Sequence, residues 1–310
     1  MEKNKITINL LLIVISILVV VACIMGYLYF TKEDIKKEMQ EKEEKKQSLV
    51  IFNDENYPKV EGITMLQPLV NKFKETYTGS ETKETINIQN EEQVYNKLIN
   101  GETDMIITTY PSDEMIQSAK DKNIELEITP IAKDAFVFLV NKDNTIENLT
   151  LEQIQQIYSG KIKNWRNVEG PNIEIIAYQC PTNSFTQSGM LKLVMKDKMM
   201  TPPQESLNSS TGNIVDVISQ YVNQNNSIAY SYLYNANTMY KNENVKFLSI
   251  NGVAPTYDNI KNGLYNLQTT YYAVVKKGVQ ENSNVSKLLN EIKNEKGQEI
   301  VREAGYVQNY

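Results

Sequence analysis

Histidine is absent from the 310 residues. With it go the usual general base and the commonest metal ligand, so Ser-His-Asp hydrolysis, histidine–zinc sites and HExxH proteases are excluded. Cysteine occurs twice, as Cys23 and Cys180, too far apart for a CxxC zinc or redox site and too few for a disulfide scaffold. Positive charge is in the minority. With 32 basic and 38 acidic side chains, a net charge of −6 and a pI near 5.1, the chain is not expected to bind nucleic acid. No nucleophile stands beside a base, so neither an enzyme nor a cofactor or metal is expected. A content of 41% hydrophobic and 23% charged residues belongs to a globular protein, long enough for one large core or two smaller ones.

Charge is also missing from Ile6 to Phe30, a run of 25 residues. At ~1.5 Å per residue a helix here reaches roughly 37 Å, more than the ~30 Å hydrocarbon core of a bilayer. Lys3 and Lys5 precede it, which by the positive-inside rule leaves the N-terminus in the cytoplasm and the rest of the chain outside. A cleaved signal peptide has an apolar region of only ~7–15 residues. Val20-Val21-Ala22-Cys23 resembles a bacterial lipobox, with Cys23 as the lipidated residue, but the apolar run continues past it. Signal-anchor and lipoprotein signal therefore both stand, the anchor favoured, and either tethers the chain to the outer membrane face.

Residues 31–47 hold six lysines and six acidic residues, with Glu33–Lys37, Glu38–Lys42 and Glu41–Lys45 as i,i+4 pairs that suit a solvated helical spacer. Setting aside the eight basic and seven acidic side chains of the first 47 residues leaves 24 and 31, so the body of the protein is the acidic part.

That body alternates between strand and helix patterns. Short apolar runs predict strands over Ser48–Phe52, Ile86–Gln89, Met105–Ile107, Ala135–Val140, Ile173–Tyr178, Ser227–Tyr232, Val245–Ile250 and Tyr271–Lys276. Helical spacing places Leu66, Leu69, Val70 and Phe73 on one helix ending by Gly79, and predicts others over Val94–Ile99, Ser112–Lys122, Met190–Asp197, Ile214–Tyr221, Val285–Asn294 and Gly297–Ala304. Thr150-Leu151-Glu152-Gln153 is a capping box opening a helix that stops at Gly160. Such alternation implies an α/β fold of parallel or mixed sheets in two lobes. Ligands of these folds sit at the carboxyl ends of strands, where helices begin. Two polar loops fit that position: Glu61-Gly62-Ile63-Thr64, leading to Met65, and Thr182 to Gly189. Plain N-capping explains either loop equally well. Tyr230, Tyr232 and Tyr234 alternate as core or hinge residues do, Trp165 is expected under the loop after Gly160, and Lys133 and Asp134 read as a surface pair.

Several stretches together resemble a family. Pro130 to Asn141, Asn148 to Ile154, Ile157 to Trp165, Ser227-Ile228-Ala229-Tyr230-Ser231, Ile250 to Thr256 and Gly305-Tyr306-Val307 are similar to the phosphate-binding proteins of phosphate ABC importers, of the type II solute-binding fold. The membrane-tethered relatives of Gram-positive bacteria are the nearer match. The resemblance covers residues 49–310. It implies one lobe of 48–133 with 246–310 and a second of 134–245, closing by a hinge on a small oxyanion, phosphate above all. The closed form, a monomer, would then dock on a membrane permease with its ATPase. By resemblance the ligand contacts are Thr64, Met65, Thr108, Thr109, Asn183, Ser184, Phe185, Thr186 and Gln187. Against the family pattern, Ile63 stands for serine, Phe185 for glycine and Cys180 for arginine, while Asn90, Glu91 and Glu92 fill a Ser/Gly-rich turn. Losing the arginine fork removes a contact worth roughly 1.5–3 kcal/mol. A second reading follows from those departures: a tethered sensor or interaction module that binds no phosphate. A weaker third is a binder of a neutral or peptide-like ligand stacked on Phe185 and Tyr110.

Overall fold

A computed structural model describes residues 32, 35–41, 43–44, 47–82, 89–182, 184–196, 198–201 and 226–310. The anchor over 6–30, Cys23, Asn183, the helix Ile214–Tyr221 and all but the last residue of the strand Ile86–Gln89 lie outside the described residues. Among those described, no helix is long and apolar enough to cross a membrane.

In chain order the elements are β1 (Val60–Gly62), a 3₁₀ turn (Thr64–Leu66), α1 (Gln67–Thr78), α2 (Glu91–Asn100), β2 (Met105–Thr108), α3 (Asp113–Asp121), β3 (Leu126–Asn141), β4 (Asn148–Leu149) and α4 (Leu151–Tyr158). There follow β5 (Ile176–Ala177), α5 (Phe185–Gly189) running into a π-helical turn (Met190–Met195), β6 (Ser227–Tyr232), β7 (Val245–Phe247) and β8 (Ser249–Ile250). The chain closes with α6 (Tyr257–Lys261), β9 (Gln268–Lys276), α7 (Asn284–Lys293), α8 (Glu295–Glu303) and β10 (Val307–Gln308).

Contacts divide the chain into two units, one of residues 1–57 with 74–82 and one of residues 58–73 with 83–310. In the first, residues 35–41 are helical and exposed. Among the described residues no strand is assigned over Ser48–Phe52, where one was expected. The amides of Ile51 and Phe52 both donate to the Tyr77 carbonyl, at 2.9 and 3.0 Å, so the segment lies against the end of α1.

In the second unit the sheet order is β1-β2-β9-β3-β6-β5, with β7 and β10 also on β3. It is mixed: β1–β2 and β5–β6 are parallel, whereas β2–β9, β3–β9 and β3–β6 are antiparallel. The sixteen-residue β3 organises it. Leu126 to Ala135 pair with β9, and Phe136 to Val140 pair with β6. Only Ala135–Val140 was legible as strand in the sequence, because Pro130 interrupts the first half. Proline offers no amide to a ladder, and the register shifts between Pro130 and Ala132.

The second half of β3 carries the main core. Phe136, Phe138, Tyr158, Trp165 and Tyr230 are fully or almost fully buried there, each contributing about 1.5–3 kcal/mol by leaving water. Trp165 donates its Nε1–H to the Asn226 carbonyl at 2.9 Å. Helix starts follow the sequence closely. Ser112 Oγ caps the Met115 amide, and Thr150 and Gln153 form the reciprocal capping box on α4.

One expectation is corrected. Lys133 and Asp134 are not a surface pair: Asp134 is 2% exposed, and the Lys133 ammonium turns away to the Lys261 carbonyl at 3.0 Å. Neighbours on a strand point to opposite faces, so adjacency in sequence does not bring them together.

Candidate functional site

A cleft of about 420 Å³ lies beside the point where β3 passes from pairing with β9 to pairing with β6. One wall comes from the end of β2 and the start of α3 (Thr109, Tyr110, Ser112, Met115) and from the first residues of β9 (Gln268, Thr269, Thr270, Tyr272). The other comes from α5 and its π-helical continuation (Phe185, Ser188, Gly189, Lys192, Leu193), with Tyr232 from β6. Glu91, at the start of α2, completes the lining.

Two aromatic pairs shape it. Tyr110 meets Tyr272 edge-on with centroids 5.5 Å apart, and Phe185 tilts against Tyr232 at 5.0 Å. Tyr110 is 59% exposed, unusual for a large ring. The Glu91 carboxylate accepts from the Thr109 hydroxyl at 2.5 Å. Lys192 supplies the cation of the lining and makes no ion pair among the described residues. Burial holds the Tyr232 hydroxyl protonated, its pKa raised first by desolvation and then by Asp134 and Glu91. Gly189 is required by close packing: a Cβ there would lie 2.6 Å from the Tyr232 hydroxyl and 2.9 Å from the Phe136 ring.

Of the residues taken from the family resemblance, Thr109 and Phe185 line this cleft. Thr64, Met65, Thr108, Ser184, Thr186 and Gln187 are not among its lining. The Thr64 hydroxyl accepts from the Gln89 amide at 2.8 Å and donates to the Gln89 carbonyl at 3.1 Å. The Met65 carbonyl accepts from the Tyr306 hydroxyl at 3.2 Å. Thr108 is fully buried, and its hydroxyl has no hydrogen-bond partner among the described residues. Ser184 caps α5 by accepting from the Gln187 amide at 3.1 Å. Gln187 is buried, and its Oε1 accepts from the Tyr230 hydroxyl. That hydroxyl in turn accepts from the Cys180 amide at 3.1 Å. The Cys180 thiol is pushed up to about 12 by burial, so it offers neither a thiolate nor a substitute for arginine.

The lining residues that the sequence did not mark as contacts are Ser112, Met115, Ser188, Lys192, Gln268 and Thr270, along with others brought in by the diverging sheet. Ser188 and Lys192 are four apart, the spacing that puts two side chains on one helical face. The start of β9 was hidden because Gln268, Thr269 and Thr270 are polar and the readable strand began at Tyr271.

Residues 55–292 match a family model described as the PBP superfamily domain. The phosphate-binding protein PstS of Staphylococcus epidermidis is 29% identical over 258 residues, covering 80% of this chain and 78% of its own. That of Borreliella burgdorferi is 26% identical over 264 residues, covering 82% and 91%. Among solved structures, an ABC-type phosphate transport receptor from Vibrio cholerae superimposes with a TM-score of 0.63 at 19% identity, covering 80% of this chain and 98% of that one. PstS from Borrelia burgdorferi gives 0.58 at 23% identity, covering 80% and 97%. At these identities the structural likeness establishes the fold.

Proposed function

The chain belongs to the PBP superfamily, and from that premise we propose that it is a binding protein, not an enzyme, that captures a small oxyanion, phosphate first, outside the cell for an ABC importer. The observation that carries this reading is the length of the match to phosphate-binding proteins, about four-fifths of the chain. The cleft beside the passage of β3 from β9 to β6 supports it, since solute sites are concave and two of the proposed contacts, Thr109 and Phe185, line it. The interaction-module reading has no comparable support, because the curated relatives are named as phosphate-binding proteins.

The lobes would be 48–133 with 246–310, and 134–245, and closure would swing one against the other about β3. Thr64, Met65, Thr108 and Thr109 on one side and Asn183, Ser184, Phe185, Thr186 and Gln187 on the other remain the proposed contacts. They would be neutral donors in the main, with Lys192 the nearby cation. The uncharged run over 6–30, as signal-anchor or with Cys23 lipidated, would hold the protein at the membrane beside its permease.

Titration calorimetry of phosphate into the full chain in detergent micelles tests this. Micromolar or tighter binding is expected, with sulfate weaker by at least about tenfold, or ~1.4 kcal/mol. Absence of phosphate binding overturns it.

A further inference from the structure

The cleft is larger than a bare phosphate requires and is lined unlike a simple anion site. Tyr110 and Tyr272 on one wall, and Phe185 and Tyr232 on the other, give it four aromatic rings. Among the described residues the ring contact of Tyr110 is with Tyr272 on its own wall, and the side chain is 59% exposed. Glu91 places a carboxylate in the same lining, and its described hydrogen bond comes from Thr109 alone. An ionised carboxylate accepts up to about four hydrogen bonds, so most of its capacity is open. A negative charge facing a site for an anion is repulsive unless the ligand brings a proton donor or a cation to it. Lys192 lines the cleft as well and forms no ion pair with Glu91, so the two opposite charges are held apart in one cavity. Aromatic faces beside a carboxylate are the surroundings that favour an ammonium group. Ser188 and Lys192 on one helical face favour an oxyanion.

From this bipolar lining we infer that the ligand is an organic phosphoryl compound bearing an ammonium group, a short aminoalkyl phosphate or phosphonate. Its anionic end lies toward Ser188 and Lys192 and its cationic end toward Glu91 and the tyrosines. The inference rests on the reading of this cleft as the solute site. It adds that the organic part is recognised, where phosphate alone could offer Glu91 its P–OH but leaves the rings without a role.

Titration of phosphate, phosphoethanolamine and 2-aminoethylphosphonate into the full chain in micelles decides it, with Glu91→Gln and Tyr110→Ala as variants. Tyr110 is exposed, so its removal leaves the fold in place, and circular dichroism verifies that for both variants. The expected result is at least tenfold tighter binding of an aminoalkyl compound than of phosphate. Each variant should erase that preference by weakening aminoalkyl binding, and Glu91→Gln, by removing a repulsive charge, should leave phosphate bound more tightly than in the wild type. Phosphate binding as tightly as the aminoalkyl compounds overturns the inference and leaves the phosphate reading intact. Loss of phosphate binding in Glu91→Gln also overturns it, because Glu91 then accepts a proton of phosphate itself. Aminoalkyl binding without phosphate binding supports the inference and removes the simpler reading. Silence with all three ligands overturns both.

Discussion

The hydroxyl of Tyr271, on β9, donates to Oδ2 of Asp134, on β3, at 3.3 Å, at the point where β3 leaves one partner strand for the other. Oδ1 of the same carboxyl accepts from the Ala135 amide at 2.7 Å and from the Tyr234 amide, just past β6, at 3.2 Å. One side chain thus ties β3 to β9 and to the turn that follows β6. Tyr232, Tyr234, Tyr271 and Tyr306 surround it electrostatically, and it forms no ion pair among the described residues.

Burial dominates Asp134 and raises its pKa to about 7, the amide and tyrosine hydrogen bonds only partly opposing the desolvation. In the unfolded chain the group titrates near 4. Between about pH 4 and pH 7 the folded state therefore holds a proton that the unfolded state has lost. Stability from this group is fully present below about pH 4, falls as pH rises through that window, and is lost above about pH 7. The change amounts to a few kcal/mol. Chemical denaturation of wild type and Asp134→Asn between pH 4 and 8 checks this. The variant should lose the downward slope and be the more stable of the two relative to their pH 4 values. Parallel slopes in the two proteins would place the titration elsewhere.

How far the sequence could be read depends on which interactions are local. Helix starts are local, so Ser112, Thr150 and Gln153 announce α3 and α4 within four residues. The paired half of β3 before Asp134 is not, because its strand character comes from β9, more than a hundred residues later, and Pro130 masks it. The site follows the same division. Polar loops at helix starts are visible, but residue type does not say where a hydroxyl points. Ser184 turns to its own helix, as a capping residue does, and Thr64 to the distant backbone of Gln89, while Lys192 and Thr270 enter the cleft through tertiary placement alone.

Gly189 gives a direct test of cleft packing. Alanine there is helix-compatible, so backbone strain is not at issue. Its methyl group would crowd the Tyr232 hydroxyl and the Phe136 ring, both in a packed core. Overpacking of this kind costs about 1–3 kcal/mol. We expect Gly189→Ala to lower the unfolding free energy by that amount and to weaken ligand binding by shifting Tyr232. A variant with unchanged denaturation midpoint and affinity would show that the rings yield freely.

Thr108 separates a structural hydroxyl from a ligand contact. It is fully buried at the end of β2, its Oγ1 without a partner among the described residues, a desolvation worth about 1–3 kcal/mol. Valine has the same shape without the hydroxyl and keeps the β-branched preference for a strand. Were the hydroxyl idle, Thr108→Val would raise stability by about 1 kcal/mol or leave it unchanged, with ligand affinity intact. Were Thr108 a contact, as proposed, closure would have to bring the oxyanion to this hydroxyl, which is not among the cleft's lining. The expected result is therefore a neutral or stabilised free protein whose phosphate affinity falls by about tenfold or more, because the closed state has lost a donor. Thermal denaturation with and without phosphate reads both quantities at once. An undiminished ligand-induced rise in Tm would remove Thr108 from the contact set.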